Sequence, residues 1–203
     1  YEIVDAVRVR PTHSNIRFPG LGVGGYCLTK DPLFALASLG SLFSIDGPEF
    51  VFSKLAMEVN QKMPLHAVRR LSILMDNELE KKNILIMGVS YKGDIGDSRF
   101  SPSELLVRTL KERGAHVMCF DPFLNYWSEM EQPLLLEFPD ADQYDAVVFA
   151  TAHSQFYELD VLSWLKGNQP VVLDAVNIMS ENQRRICRQS GVVVETIGRG
   201  NGL

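Results

Sequence analysis

Ile84-Leu85-Ile86-Met87-Gly88-Val89 is an unbroken apolar run with no polar alternation, the pattern of a strand buried on both faces of a parallel sheet. Downstream, Ser101-Pro102-Ser103-Glu104 supplies an acceptor side chain, a proline at the first helical position and a glutamate three residues after the cap. That is the start of a helix with a capping box, and Gly114 closes it. His116 to Phe120 reads as the next strand, with a loop at Asp121-Pro122, and Ala146 to Ala150 as a third. A helix follows over Gln155 to Leu165, then a fourth strand over Val171 to Asp174. Ser180 with Gln183 caps another helix that Gly191 ends, and Val192 to Glu195 is the last strand. Strand and helix alternate from residue 84 to the end, which predicts a doubly wound, Rossmann-like α/β domain over residues 83–203.

Upstream of Lys81-Lys82-Asn83 the pattern is helical, and residues 1–82 form a separate central segment. A short amphipathic stretch (Ile3, Val4, Val7) leads into a glycine loop. A helix begins at Pro32, carries Leu33, Phe34, Leu36 and Ala37, and ends near Gly40. Asp46-Gly47-Pro48-Glu49 reads as another capped start, from which a long helix runs to about Glu80, with Val68, Leu71, Met75 and Leu79 at helical spacing. Pro64 interrupts it and predicts a kink.

With 203 residues, 46% hydrophobic and 22% charged, the chain has the composition of an ordinary globular protein with a substantial core. A net charge of −5 argues against a nucleic-acid partner. No apolar run approaches the roughly 20 residues of a membrane helix, so no membrane association is expected. Three cysteines without metal-type spacing suit a reducing compartment, and neither a disulfide framework nor a metal site is expected. Cys119 and Cys187 sit in apolar patterns and read as packing residues. The chain opens on Tyr1-Glu2-Ile3 and reads as part of a longer protein, so targeting signals are not judged.

Two loops carry the chemistry. In Phe18-Pro19-Gly20-Leu21-Gly22-Val23-Gly24-Gly25-Tyr26-Cys27-Leu28-Thr29-Lys30-Asp31-Pro32 the glycines let another group approach the backbone closely. Cys27 follows at once, and Asp31-Pro32 reads as N-cap and first helical residue. A thiol at the mouth of a helix is where a thiolate forms most easily, which points to a nucleophile. A small buried cysteine in a tight turn fits the spacing equally well. The second loop, Gly88 to Pro102, lies beyond the carboxyl end of the first strand, where open α/β sheets bind ligands. It is not a GxGxxG loop, which disfavours a dinucleotide there. Lys92 and Arg99 are available for phosphate, Tyr91 for stacking, and Ser101 begins an anion-friendly helix end. The bland alternative, favoured by composition alone, is that Arg99 pairs with Asp94 or Asp97 and stiffens the loop.

Gly24-Gly25-Tyr26-Cys27-Leu28-Thr29-Lys30-Asp31 resembles the catalytic-cysteine motif of the nucleotide-sugar dehydrogenases. Gly88, Tyr91, Lys92, Asp97, Arg99, Ser101 and Pro102 resemble the loop that opens that family's C-terminal domain. Asp121-Pro122, Ala150-Thr151-Ala152-His153 and Asn60-x-x-Met63-Pro64 match in order, so the resemblance spans essentially the whole chain. It implies a central and C-terminal fragment of a cytoplasmic, NAD-dependent enzyme that oxidises the C6 alcohol of a UDP-sugar to a carboxylate. It makes Cys27 the nucleophile, Asp31 the water activator, and Gly24, Gly25, Tyr91, Lys92, Arg99 and Arg10 substrate contacts. The resemblance also implies a homodimer through the central helix and a role in polysaccharide precursor synthesis. NAD would be held by an upstream Rossmann domain, since no cofactor-binding loop occurs in these residues. One rival reading is a non-catalytic nucleotide-sugar-binding and dimerisation module; a second is a flavodoxin-like or redox domain.

The departures are specific. Phe100 stands where a glutamate is common in the family, and Asp174-Ala175-Val176-Asn177 lacks an arginine often seen between those ends. Arg10 resembles an arginine that reaches the partner subunit's site, in a loose register. His153 reads as a strand-end polar residue and Lys30 as a surface residue.

Overall fold

The computed structural model describes residues 1–42 and 50–199. In chain order the helices and strands are α1 (Glu2–Arg8), α2 (Phe34–Leu42), α3 (Val51–Leu74), β1 (Asn83–Met87), α4 (Pro102–Glu112) and β2 (His116–Phe120). They continue with β3 (Tyr126–Trp127), β4 (Gln132–Pro133), β5 (Ala146–Phe149), α5 (Ser154–Tyr157), α6 (Val161–Trp164), β6 (Val171–Asp174), α7 (Glu181–Gln189) and β7 (Val194–Thr196). The expected start at Asp46–Glu49 lies outside the described residues.

Five strands form one parallel sheet in the order β2-β1-β5-β6-β7, and β3 and β4 pair separately. The apolar run at residue 84 is its central strand, with Ile84 opposite Val117 of β2 and Ala146 of β5. Ile84 and Ile86 face the cluster built with Ala67, Val68 and Leu71 of α3 and Leu106, Val107 and Leu110 of α4. Leu85 and Met87 face the opposite cluster with Phe156, Val161, Trp164 and Cys187. The period of two in β1 thus feeds two cores, each such residue contributing roughly 1.5–3 kcal/mol of burial. Cys119 and Cys187 are both buried, and burial pushes the Cys119 thiol up to about 12.

Several boundaries differ from the sequence reading, each for a local reason. The helix expected from Pro32 to Gly40 is a 3₁₀ turn at Asp31–Leu33 followed by α2, which runs through Gly40. Helix α3 is continuous through Pro64 but stops at Leu74, because Asp76 and Asn77 adopt left-handed backbone. Met75 and Leu79 are nevertheless buried, packing from the loop. The single helix expected over Gln155–Leu165 is two, α5 and α6, since Asp160 caps a new helix by accepting from the Ser163 N–H. The Ser180–Gln183 capping box is complete. The Ser101 box is half formed: Ser101 accepts from the Ser103 N–H, while Glu104 accepts from Arg108 at 2.9 Å instead of reaching back.

The C-terminal half of α3 is built into the sheet's core, and Arg70 clamps it to β7 through two guanidinium bonds to Glu195 at 2.6 Å each. The N-terminal half is different. Val51, Phe52, Leu55 and Val59 are all exposed.

Candidate functional site

The sheet order changes direction between β1 and β5, and a crevice at the carboxyl ends of those strands is the expected ligand position. The loops after the two strands lie in direct backbone contact there. Gly88 has φ +95°, and a Cβ on it would fall 2.4 Å from Thr151 Cβ; one on Gly93 would fall 2.0 Å from the Ala152 carbonyl oxygen. Thr151 Oγ1–H donates to the Ser90 carbonyl at 2.7 Å. Asp121, at the end of β2, accepts the N–H groups of Val89 and Ser90 at 2.9 and 2.8 Å and that of Phe123 at 3.0 Å. His153 Nε2 lies 3.2 Å from the same carboxylate. Burial acts to raise the Asp121 pKa, but the His153 bond and the three backbone donors outweigh it and hold the carboxyl below its ordinary value.

This arrangement does not fit a dinucleotide cofactor. Such a cofactor places its pyrophosphate on free N–H groups at the first βα turn. Here Val89 and Ser90 already donate to a carboxylate of the same sign.

The glycine loop crosses the same end of the sheet. A Cβ on Gly20 would touch Val176 and the Ala175 carbonyl, beyond β6. At the other end, one on Gly24 would fall 2.7 Å from the Phe100 carbonyl and 2.8 Å from both Pro102 and Tyr91. Gly25, at φ +87°, leaves only 2.7 Å between such a carbon and the Tyr91 ring. Asn60 fastens the loop to α3 by a pair of bonds, accepting the Val23 N–H and donating to the Val23 carbonyl, both at 2.8 Å. Pro64, four residues on, has no N–H to give the Asn60 carbonyl, and Gly22 lies against that oxygen.

Cys27 is exposed. Residues 26–30 form consecutive turns, so the thiol does not stand at a helix N-terminus as expected. The Cys27 carbonyl accepts the N–H groups of Lys30 and Asp31. Asp31 is not an N-cap either: it is the first residue of the 3₁₀ turn, and its carboxylate binds Lys30 Nζ at 2.7 Å. That ammonium lies 4.5 Å from the centres of both the Tyr26 and Phe34 rings. The hydrogen bond to Asp31 raises the Lys30 pKa, and Cys27 is among the groups in Coulombic reach. Lys30 is therefore part of the cysteine turn, which the sequence reading missed.

On the second loop, Tyr91 packs under Gly25, and Phe100 lies 5.7 Å from Tyr26, ring centre to ring centre. Lys92 is exposed, with no hydrogen bond or ion pair to its side chain among the described residues. Arg99 is exposed too, but its guanidinium makes two bonds to Asp97, at 2.9 and 2.7 Å. The bland alternative thus describes this loop, with Asp97 rather than Asp94 as the partner, and the Arg99 bond holds the Asp97 carboxyl below its usual range. Arg10 is exposed and stands just before the 3₁₀ turn Pro11–His13, apart from these contacts.

At the end of β6, Asp174 is buried and accepts from Val176, Ile178 and Met179. No arginine stands between Asp174 and Asn177, yet Arg184 from α7 and Arg199 after β7 both donate to Asn177 Oδ1, at 3.1 and 2.7 Å. Nothing in their sequence context marks those two arginines. Asp121, His153 and Asn60 were in recognised motifs, but only the structure shows what they hold. Among the described residues no cluster of His, Cys, Asp or Glu is arranged to hold a metal ion, and no helix is long and apolar enough to cross a membrane.

Residues 85–181 match the model of the UDP-glucose/GDP-mannose dehydrogenase family, UDP binding domain. The UDP-N-acetyl-D-mannosamine dehydrogenase of Methanococcus maripaludis is 31% identical over 205 residues, covering 97% of this chain and 44% of the relative. The UDP-glucose 6-dehydrogenase of Rickettsia bellii is 31% identical over 176 residues, covering 81% of this chain and 38% of the relative. Among solved structures, the NDP-N-acetyl-D-galactosaminuronic acid dehydrogenase of Methanosarcina mazei superposes with a TM-score of 0.80 at 25% identity, over 98% of this chain and 43% of that one. The UDP-D-ManNAc dehydrogenase of Pyrococcus horikoshii gives 0.74 at 26% identity, over 100% and 45%. The chain thus spans less than half the length of these relatives. Residues 85–181, which carry most of the five-stranded sheet and its ligand loop, thus place this part of the chain in the UDP-glucose/GDP-mannose dehydrogenase family as a UDP binding domain.

Proposed function

We propose that this chain is the nucleotide-binding and thiol-bearing part of an NAD-dependent UDP-sugar 6-dehydrogenase of the cytoplasm. The observation that carries the reading is the packing of Gly24 and Gly25 onto Tyr91, Phe100 and Pro102. It brings the turn of Cys27 and the loop of Lys92 and Arg99 to one surface, so that one ligand with a diphosphate and a sugar can touch both. Lys92 and Arg99 bind the diphosphate, Tyr91 with Gly24 and Gly25 shapes the passage, and the sugar's C6 reaches Cys27. Its Sγ adds to the carbon of the intermediate aldehyde, which keeps that aldehyde bound through the second oxidation. Water, activated by Asp31, then releases the acid from the thioester. The oxidations need NAD as hydride acceptor, which the loop after β1 does not fit. Residues 1–82 act as the central segment and 83–203 as the nucleotide domain. The exposed Val51, Phe52, Leu55 and Val59 of α3 form the dimer face, on which Arg10 approaches a partner's site.

Calorimetric titration of UDP, with flavin mononucleotide as control, tests the nucleotide assignment; binding of the flavin but not of UDP overturns it. Alkylation by iodoacetamide tests the thiol. Cys27 should react faster in the native protein than in the same chain unfolded in urea, because exposure alone cannot exceed the unfolded rate. A native rate equal to or below the unfolded one leaves the non-catalytic binding module as the better reading.

A further inference from the structure

His153 is fully buried, yet both ring nitrogens are engaged by elements far apart in sequence. The Asp94 N–H donates to Nδ1 at 3.0 Å. Nδ1 is therefore an acceptor without a proton, and Nε2 carries the proton that it donates to Asp121 Oδ2 at 3.2 Å. The ring stacks on Phe123 at 5.3 Å and meets the edge of Phe156 at 5.3 Å, so its orientation is set from both sides. Asp94 continues the connection, its carboxylate accepting from the Ser154 N–H and Oγ–H at 2.8 and 2.9 Å. The imidazole thus joins the loops after β1, β2 and β5 at the switch point.

We infer that His153 is a positioning residue that holds the Gly88–Phe100 loop in its ligand-ready form while neutral, and releases it when the ring takes a second proton. A protonated Nδ1 is a donor and cannot accept the Asp94 N–H. Among the described residues the charged groups facing the ring are two carboxylates, Asp121 just after β2 and Asp94 from the loop after β1, the latter 4.0 Å from Nδ1. Phe123 and Phe156 complete its surroundings. A protonated ring is drawn to the Asp94 carboxylate, 4.0 Å away and already holding Ser154 through Oδ1, so the loop must shift for the two to meet. Hydrogen bonds from Ser154 to Asp94 and from His153 and backbone donors to Asp121 hold both carboxyls below their ordinary range, against the cost of burial. An imidazole is the side chain whose charge ordinarily changes between about pH 5 and pH 8, which sets the window of the test. The effect on nucleotide affinity rests on the UDP reading above, whereas the clamp on the loop does not.

Amide hydrogen exchange at Asp94 and calorimetric UDP binding, each followed from pH 8 to pH 5 on the full chain, test the two parts separately. His153→Phe keeps the ring's bulk and removes both bonds; His153→Asn restores an acceptor near the Nδ1 position. In the wild type, Asp94 protection and UDP affinity should both fall as pH is lowered. In His153→Phe, Asp94 protection at pH 8 should drop about tenfold or more, with UDP affinity weakened by a similar factor and no pH dependence left. His153→Asn should recover most of the protection without recovering the pH dependence. Unchanged Asp94 protection in His153→Phe, or a flat wild-type profile, overturns the inference. If the wild type binds no UDP, the nucleotide reading falls and the exchange data alone decide the clamp. If His153→Phe does not fold, the wild-type profile and His153→Asn decide it.

Discussion

Two glycine-bearing loops meet at the carboxyl end of the sheet, and they are held by opposite means. The loop after β1 is anchored from below by buried groups: Asp121 takes two of its N–H groups, His153 a third, and Thr151 one of its carbonyls. The loop that carries Cys27 is held from its upstream side, by the Asn60 clasp and by glycines pressed against neighbouring atoms. Past Gly25 it turns outward to an exposed thiol and a half-buried Lys30–Asp31 pair. The first loop is a frame, and the second presents a reactive group from that frame. Preorganisation of this kind favours chemistry because the backbone is fixed while the nucleophile stays reachable.

The largest expected effect falls on the presenting loop. Cys27→Ala in the full-length protein should abolish formation of the acid while leaving UDP binding intact; a steady-state rate within about tenfold of wild type, roughly 1.4 kcal/mol in barrier, would falsify the covalent role. Next in size is an insult to the frame. Gly93→Ala puts a methyl 2.0 Å from the backbone carbonyl oxygen of Ala152, which cannot swing away as a side chain would. We expect a loss of roughly 1–3 kcal/mol in urea denaturation, together with weaker UDP binding. Stability equal to wild type would mean that the two loops are not locked together as described.

The same contrast explains how much of the molecule was legible in advance. The parallel sheet and its order of strands and helices followed from apolar runs, because strands buried on both faces need no alternation and leave a strong signal. The Ser180–Gln183 box was legible because both partners are local. The Ser101 box was only half so, since Glu104 meets Arg108 one turn later on the same helix. The glycine positions were readable as close approaches, but what approaches them, Tyr91 and Phe100, comes from the other loop. Cys27 was visible as a candidate, whereas its placement at a helix mouth was wrong: Asp31 spends its carboxylate on Lys30 rather than on capping. Asp121 read only as part of a loop and His153 as a strand-end polar residue, because their bonds join loops that only the sheet brings together.

The frame also titrates in a way that separates it from the rest of the sheet. Asp121 follows β2 and Asp174 ends β6, with two strands between them, and each accepts three backbone N–H bonds. Burial is the largest influence on both; in Asp174 it wins and raises the pKa, whereas in Asp121 the added His153 bond reverses the balance. A carboxyl whose folded pKa lies below its unfolded value stabilises the fold above the unfolded value and loses that contribution as pH falls through the folded one. Asp121 should therefore make the wild type progressively less heat-stable as pH drops below about 4. Asp121→Asn should be less stable at neutral pH, with a smaller further loss on acidification. An equally steep acid loss in Asp121→Asn would assign the effect to other carboxyls and weaken the view of Asp121 as the loop's anchor.

The smallest effect is expected at Arg99, where the frame itself carries an outward-facing charge. Its two bonds to Asp97 link residues two apart on an exposed stretch, so water and salt screen them and their loss should leave the thermal midpoint unchanged. Binding is a different matter, because a diphosphate competes with Asp97 for the same guanidinium. Arg99→Gln should weaken UDP by about threefold, with a shallower dependence on salt, since one screened cation has been removed and Lys92 remains. Asp97→Asn should do the reverse, freeing Arg99 and tightening UDP by a similar factor. If Asp97→Asn instead weakens binding, Arg99 serves the loop's shape and not the nucleotide, and the diphosphate contact belongs to Lys92 alone.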